Sequence, residues 1–152
     1  MKLTRTRVSY ELVAQELGGA KRDQFIESCL AQYLAVTFYS EMEERVSEII
    51  SAHLKRFTGS RIGHYLAANM DGMIRRTPKS DMAKLVGSLD EEFRKRFEDQ
   101  ITERQISFYS NIIQARHSIG HKQGSPIDLS EIPIAIDAAD AILSALDNCF
   151  AD

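Results

Sequence analysis

Apolar residues recur along this chain at steps of three and four, the period of helices with one buried side. Residues 5–17 carry Val8, Leu12, Val13 and Leu17 and stop at Gly18-Gly19, as a helix C-terminus does. The longest periodic run is 21–57. Phe25/Ile26, Cys29/Leu30, Tyr33/Leu34, Val36/Thr37, Met42, Val46, Ile49/Ile50, His53/Leu54 and Phe57 form one stripe there. Neither Gly nor Pro interrupts it, so it predicts a single long amphipathic helix.

Shorter segments follow. Ser60 is a fair N-cap for a helix over 61–76, whose apolar side holds Ile62, Tyr65, Leu66, Met70, Met73 and Ile74. Thr77-Pro78 reads as a cap and a first-turn proline for a helix over 78–86 that buries Met82, Leu85 and Val86. Residues 90–101 repeat Phe93, Phe97 and Ile101 at steps of four. Residues 103–120 then align Ile106, Tyr109, Ile112, Ile113 and Arg116. Gly124 and Pro126 punctuate a loop over 121–129. The last helix starts near Ser130, keeps Pro133 in its first turn, and buries Ala135, Ala139, Ile142, Leu146 and Cys149 or Phe150. No strand pattern, repeat or linker stands out. The expectation is one all-α domain over 1–152, a helical bundle of about four to six helices with the long helix near the N-terminus.

Composition narrows the classes. At 152 residues the chain can bury a real core, and 43% hydrophobic with 27% charged residues is ordinary for a globular protein. No apolar run approaches the roughly 20 residues that span a membrane. The start "MKLTRTRVSYELVAQ" has no hydrophobic signal core, so a cytoplasmic location is expected. Cys29 and Cys149 both sit among apolar residues at helical spacing and read as core thiols rather than a disulfide framework. A net charge of −3 argues against a protein that coats nucleic acid along its whole surface. Local basic runs at 53–57, 73–79 and 93–97 leave room for a basic groove, although such runs usually face solvent.

The chemistry concentrates in "ARHSIGHKQG", residues 115–124. His117 and His121 share the i,i+4 spacing of a metal pair, yet no third ligand stands nearby and Ser118 occupies the place where the metalloprotease pattern needs Glu. Arg116, His117 and Lys122 also suit a helix C-terminus, where cations complement the dipole. A third reading is cleavage of RNA through its own 2′-hydroxyl. That reaction needs a base, an acid and a cation for the phosphorane, roles open to histidine and arginine at neutral pH without metal or cofactor. Spacing alone leaves all three open.

"RHSIGH" resembles the R-x4-H signature of the HEPN superfamily, all-α domains in which a polar residue, here His117, follows the arginine. The order of elements is similar too: a long early helix, the motif near the end of a later helix, a Gly/Pro loop and an Ala-rich closing helix. Within the superfamily the chain looks most like the RiboL-PSP-HEPN group of bacterial defence and toxin settings. The resemblance implies a metal-independent endoribonuclease that leaves a 2′,3′-cyclic phosphate and a 5′-hydroxyl. It also implies a homodimer with two copies of the motif facing one cleft. Carried over, Arg116 holds the phosphate, His121 is the general acid/base, and His117 orients a partner or contacts phosphate. Lys122 departs from the glycine that many members carry after the motif histidine. Glu41 and Glu43 lie where related proteins often place an acid, as candidate partners for Arg116. Ile112, Ile113, Ile119 and the 134–142 segment can supply either an interface or core. RNA, a second copy and a regulatory protein such as an antitoxin are the expected partners. The alternative is an inactive HEPN module that binds RNA, nucleotide or protein.

Overall fold

A computed structural model describes residues 2–18, 23–55, 77–120 and 127–150, the side chains of 117–120 excepted. The helix expected over 61–76 lies outside the described residues. Six α-helices stand among those described: α1 (Thr4–Leu17), α2 (Gln24–Leu54), α3 (Lys79–Leu89), α4 (Glu91–Asp99), α5 (Glu103–Gly120) and α6 (Ile132–Asn148). A single 3₁₀ turn, Leu129–Glu131, leads into α6, and the described residues hold no strand. The all-α expectation is met.

Local chemistry explains most boundaries. Asp23 caps α2, its carboxylate accepting from the N–H groups of Phe25 at 2.8 Å and Ile26 at 3.4 Å. Thr102 and Gln105 form a reciprocal capping box at the start of α5: Thr102 N–H donates to Gln105 Oε1 at 2.8 Å and Gln105 N–H to Thr102 Oγ1 at 3.3 Å. Asp90 ends the α3 segment and caps α4 through the Glu92 N–H at 2.9 Å. Pro133 sits in the first turn of α6, where no intrahelical donor is lost.

The N-terminus of α1 is built differently. Leu3, its N-cap residue, offers no capping side chain, and the first turn holds no acid. Glu41, in the middle of α2, supplies the cap instead. Its carboxylate accepts from Arg5 N–H at 3.0 Å, Thr6 N–H at 2.7 Å and Thr6 Oγ1 at 2.7 Å. Asp140 of α6 accepts from Leu3 N–H at 2.7 Å. These carboxylates take up donors that a helix start otherwise leaves to water.

The long helix α2 and the Ala-rich α6 carry the core. α6 packs against α1, α2, α4 and α5, while α3 and α4 pair as a hairpin tied by a 2.7 Å Lys79–Glu98 ion pair. Phe38, Met42, Ile49 and Ile50 of α2 meet Tyr109 and Ile112 of α5 and Ile136, Ala139 and Ile142 of α6 in one buried cluster. Ile112 and Ile113 are buried there, as is most of the 134–142 segment, so these residues serve the core and leave little for an interface. The side chain of Ile119 lies outside the described residues.

Three expectations fail. Val8 and Leu12 are 50% and 59% exposed, because the Glu41 cap and the ion pairs of Arg7 with Asp137 and Asp140 turn Thr6, Tyr10 and Val13 inward instead. Cys29 is exposed and only Cys149 is buried. The stripe on α2 is really two opposed faces: Ala31, Leu34, Ala35 and Phe38 turn to the core, whereas Phe25, Ile26, Tyr33 and Val36 are about half exposed or more.

Candidate functional site

Arg116 stands at the end of the described side chains of α5. Tyr109, Ile112, Ile113 and Ala115 hold that helix to the core and leave Arg116 exposed beside them. Its guanidinium carbon lies 4.4 Å from the centre of the Tyr39 ring on α2. A cation over an aromatic face is attracted by the ring quadrupole, which limits the rotamers of a long side chain without using its hydrogen-bond donors. No carboxylate among the described residues forms an ion pair with Arg116. The result is a cation positioned on one helix by a ring on another, with its N–H fork unpaired to any carboxylate among the described residues.

The backbone of α5 stays helical through Gly120, so His117 follows Arg116 in the same helical turn. The side chain of His117, and His121 and Lys122 entirely, lie outside the described residues. The metal pairing of His117 with His121 lies outside them as well.

Glu41 does not serve Arg116. It is fully buried and bound to the start of α1, with Arg45 at 3.7 Å as its one cationic neighbour within α2. Burial pushes its pKa up, but hydrogen bonds from the Thr6 hydroxyl and from the Thr6 and Arg5 N–H groups outweigh that, and the net shift is downward. Glu43 is partly exposed and forms no ion pair with Arg116. The residue that does meet Arg116 is Tyr39. No spacing rule links positions 39 and 116, so sequence pattern alone does not find this contact.

Two other polar groups lie in or beside the core. Tyr109 donates its hydroxyl to the Thr77 carbonyl, and burial raises its pKa. His53 Nε2 lies 2.8 Å from Asp147, with Phe150 stacked on the ring at 4.4 Å. A cleft of about 500 Å³ lies between α1, the start of α2 and the 3₁₀ turn, bordered by Tyr10, Leu17, Glu27 and Leu129. Neither Arg116 nor Tyr39 lines it, so it is separate from the motif.

No family model matches the chain, and neither curated proteins nor solved structures yield a match. No helix among the described residues is long and apolar enough to cross a membrane.

Proposed function

We propose that the protein is a metal-independent endoribonuclease of HEPN type, acting as a toxin or phage-defence effector. The observation that carries the reading is the sequence motif R-x4-H, Arg116 to His121, whose arginine stands in the last turns of α5 in an all-α fold. The exposed, ring-braced guanidinium of Arg116 supports it, since an arginine with no carboxylate partner among the described residues is suited to a non-bridging phosphate oxygen.

In this scheme a histidine takes the proton from the RNA 2′-hydroxyl. The freed oxygen attacks phosphorus, and the bond to the 5′-oxygen breaks as that oxygen receives a proton from an acid. The products are a 2′,3′-cyclic phosphate and a 5′-hydroxyl. His121 fills the acid/base role, and its counterpart in a second copy fills the opposite one. His117 orients the phosphate or the working histidine. Arg116 stabilises the added negative charge of the phosphorane. RNA is the substrate, and a regulatory partner such as an antitoxin holds activity in check.

Arg116→Ala and His121→Ala are expected to lower RNA cleavage in EDTA by at least about a hundredfold, in line with loss of a general acid/base or an oxyanion-stabilising group. Circular dichroism should show both variants folded. A 2′-deoxy substitution at the scissile nucleotide should block the reaction. Undiminished cleavage by either variant defeats the proposal. Specific RNA binding with no cleavage by the wild type would instead favour an inactive HEPN binding module.

A further inference from the structure

The described arginines are of two kinds. Arg5, Arg7, Arg45, Arg94 and Arg96 each pair with a carboxylate, at distances from 2.7 to 3.8 Å. Arg104 and Arg116, both on α5, pair with none among the described residues and lie over aromatic rings instead. The Arg104 guanidinium carbon is 5.8 Å from the centre of the Phe108 ring, one turn along the same helix. The surroundings of the two are also free of acids. Glu103 forms no ion pair with Arg104, and after it the sequence carries no Asp or Glu until Asp128. By contrast α1, α2, α4 and α6 carry acids along their length, in a chain of net charge −3. The acids of α6, which packs along α5, are engaged: Asp137 and Asp140 with Arg7, and Asp147 with His53.

We infer that the RNA strand lies along α5, with Arg104 as a distal phosphate subsite that positions the strand for cleavage beside Arg116. The inference rests on the nuclease reading and adds to it a residue outside the motif. Arg104 repeats the chemistry of Arg116: a ring restricts its rotamers, and no carboxylate among the described residues takes up its donors. A guanidinium so placed suits a phosphate oxygen. Between the two arginines Ser107, Asn111 and Gln114 are exposed, and their spacings of three and four keep them on the face that carries Arg104. A polyanion laid on that face meets neutral polar groups and no like charge.

Helix geometry sets the reach. From position 104 to 116 the rise of 1.5 Å per residue amounts to about 18 Å. At about 3.4 Å per phosphate in a stacked strand, Arg104 meets the strand roughly five phosphates away from the one at Arg116. The two positions also differ by about a third of a turn around α5, so the strand follows the polar face and curves onto the motif at its end. Substrate length is therefore the variable that separates a subsite at Arg104 from a general effect of charge.

The test joins binding to cleavage on the full chain. Binding is read by fluorescence anisotropy over a salt series, with a 2′-O-methyl RNA of about twenty nucleotides that has no 2′-hydroxyl to attack. Arg104→Gln should weaken this binding about tenfold and lower the salt slope by about 0.7, the share of one phosphate contact on a single strand. Arg104→Lys keeps the charge and should restore the slope. Arg94→Gln removes the same charge from an ion-paired arginine and should change affinity less than about twofold. Circular dichroism should show all three variants as helical as wild type. In cleavage of unmodified RNA, Arg104→Gln should raise KM about tenfold for the long substrate and leave kcat within about twofold. For a substrate of about four nucleotides, too short to reach from Arg116 to Arg104, the rise in KM should fall below about twofold. Equal losses from Arg94→Gln and Arg104→Gln overturn the inference, as does an unchanged salt slope or a KM defect independent of length. A wild type that cleaves nothing, but whose RNA binding loses slope in Arg104→Gln, would uphold the track and defeat the nuclease. Cleavage that depends on His121 but not on Arg104 would do the reverse.

Discussion

Removing the Glu41 carboxylate should cost the protein about 3 kcal/mol. Glu41→Ala deletes the acceptor for Arg5 N–H, Thr6 N–H and Thr6 Oγ1. Hydrogen bonds to a charged group contribute about 1.5–3 kcal/mol each, and a buried donor left alone costs about 1–3 kcal/mol. The three do not add in full. Arg5 N–H is only part-buried and can turn to water, and the Thr6 hydroxyl can rotate to another acceptor. Thr6 N–H is buried and has neither escape, so it dominates. Relief from burying a carboxylate offsets part of the loss. Urea unfolding followed by circular dichroism should show the midpoint falling by about 1.5 M at a slope of about 2 kcal/mol/M. Glu41→Gln keeps one accepting oxygen and should lose about half as much. A double-mutant cycle with Thr6→Val should give a coupling of about 1 kcal/mol or more. The pH dependence has a definite sign. Because the folded pKa of Glu41 is lowered, its contribution is complete above the usual carboxylate value of about 4.3 and is lost as pH falls through the folded value. Glu41→Ala should therefore flatten the acid limb of the stability profile. A midpoint within about 0.2 M of wild type, equivalent to less than about 0.5 kcal/mol, would refute the trans-capping argument.

Other outcomes test the remaining contacts. Tyr39→Ala should release the Arg116 guanidinium and reduce RNA cleavage about tenfold, while Tyr39→Phe should retain most of it, since the ring face and not the hydroxyl meets the cation. Tyr109→Phe should cost about 1–2 kcal/mol in urea unfolding, because the buried Thr77 carbonyl loses its donor. The raised pKa of Tyr109 also sets a sign at high pH: its contribution is complete below about 10 and is lost as pH rises toward the folded value. Ultraviolet titration should accordingly show one of the five tyrosines ionising only with unfolding. Cys149, whose thiol burial pushes up to about 12, should react with a thiol reagent only in denaturant.

Much of the helical frame is legible from periodicity. The spacing of Tyr109, Ile112 and Ile113 places α5, and Pro133 marks the first turn of α6. What pattern alone misses has a common physical cause. A period of three to four says that residues share a face, but not which of two apolar faces turns inward. For α2 the distinction separates Phe38 from Tyr33. The start of α1 was illegible for a different reason: "TRTR" carries basic residues where a helix favours acids, and the compensating carboxylates come from positions 41 and 140. At the motif, the helix through Gly120 could be read from sequence, but the ring beneath Arg116 could not, because the contact joins helices 77 positions apart in sequence.

The capping of α1 from a distance has a consequence for the order of events on the ribosome. A 14-residue helix with no acceptor of its own at its start is marginal in water. Glu41 comes 35 residues after Thr6, and Asp140 comes 137 after Leu3. The α1 segment can therefore settle fully only after α6, which carries Asp140, has been made and packed. Until then "LTRTRVSYELVAQEL" lacks the acceptors that hold its first turn, so its docking on α2 and α6 comes late in the assembly of the bundle.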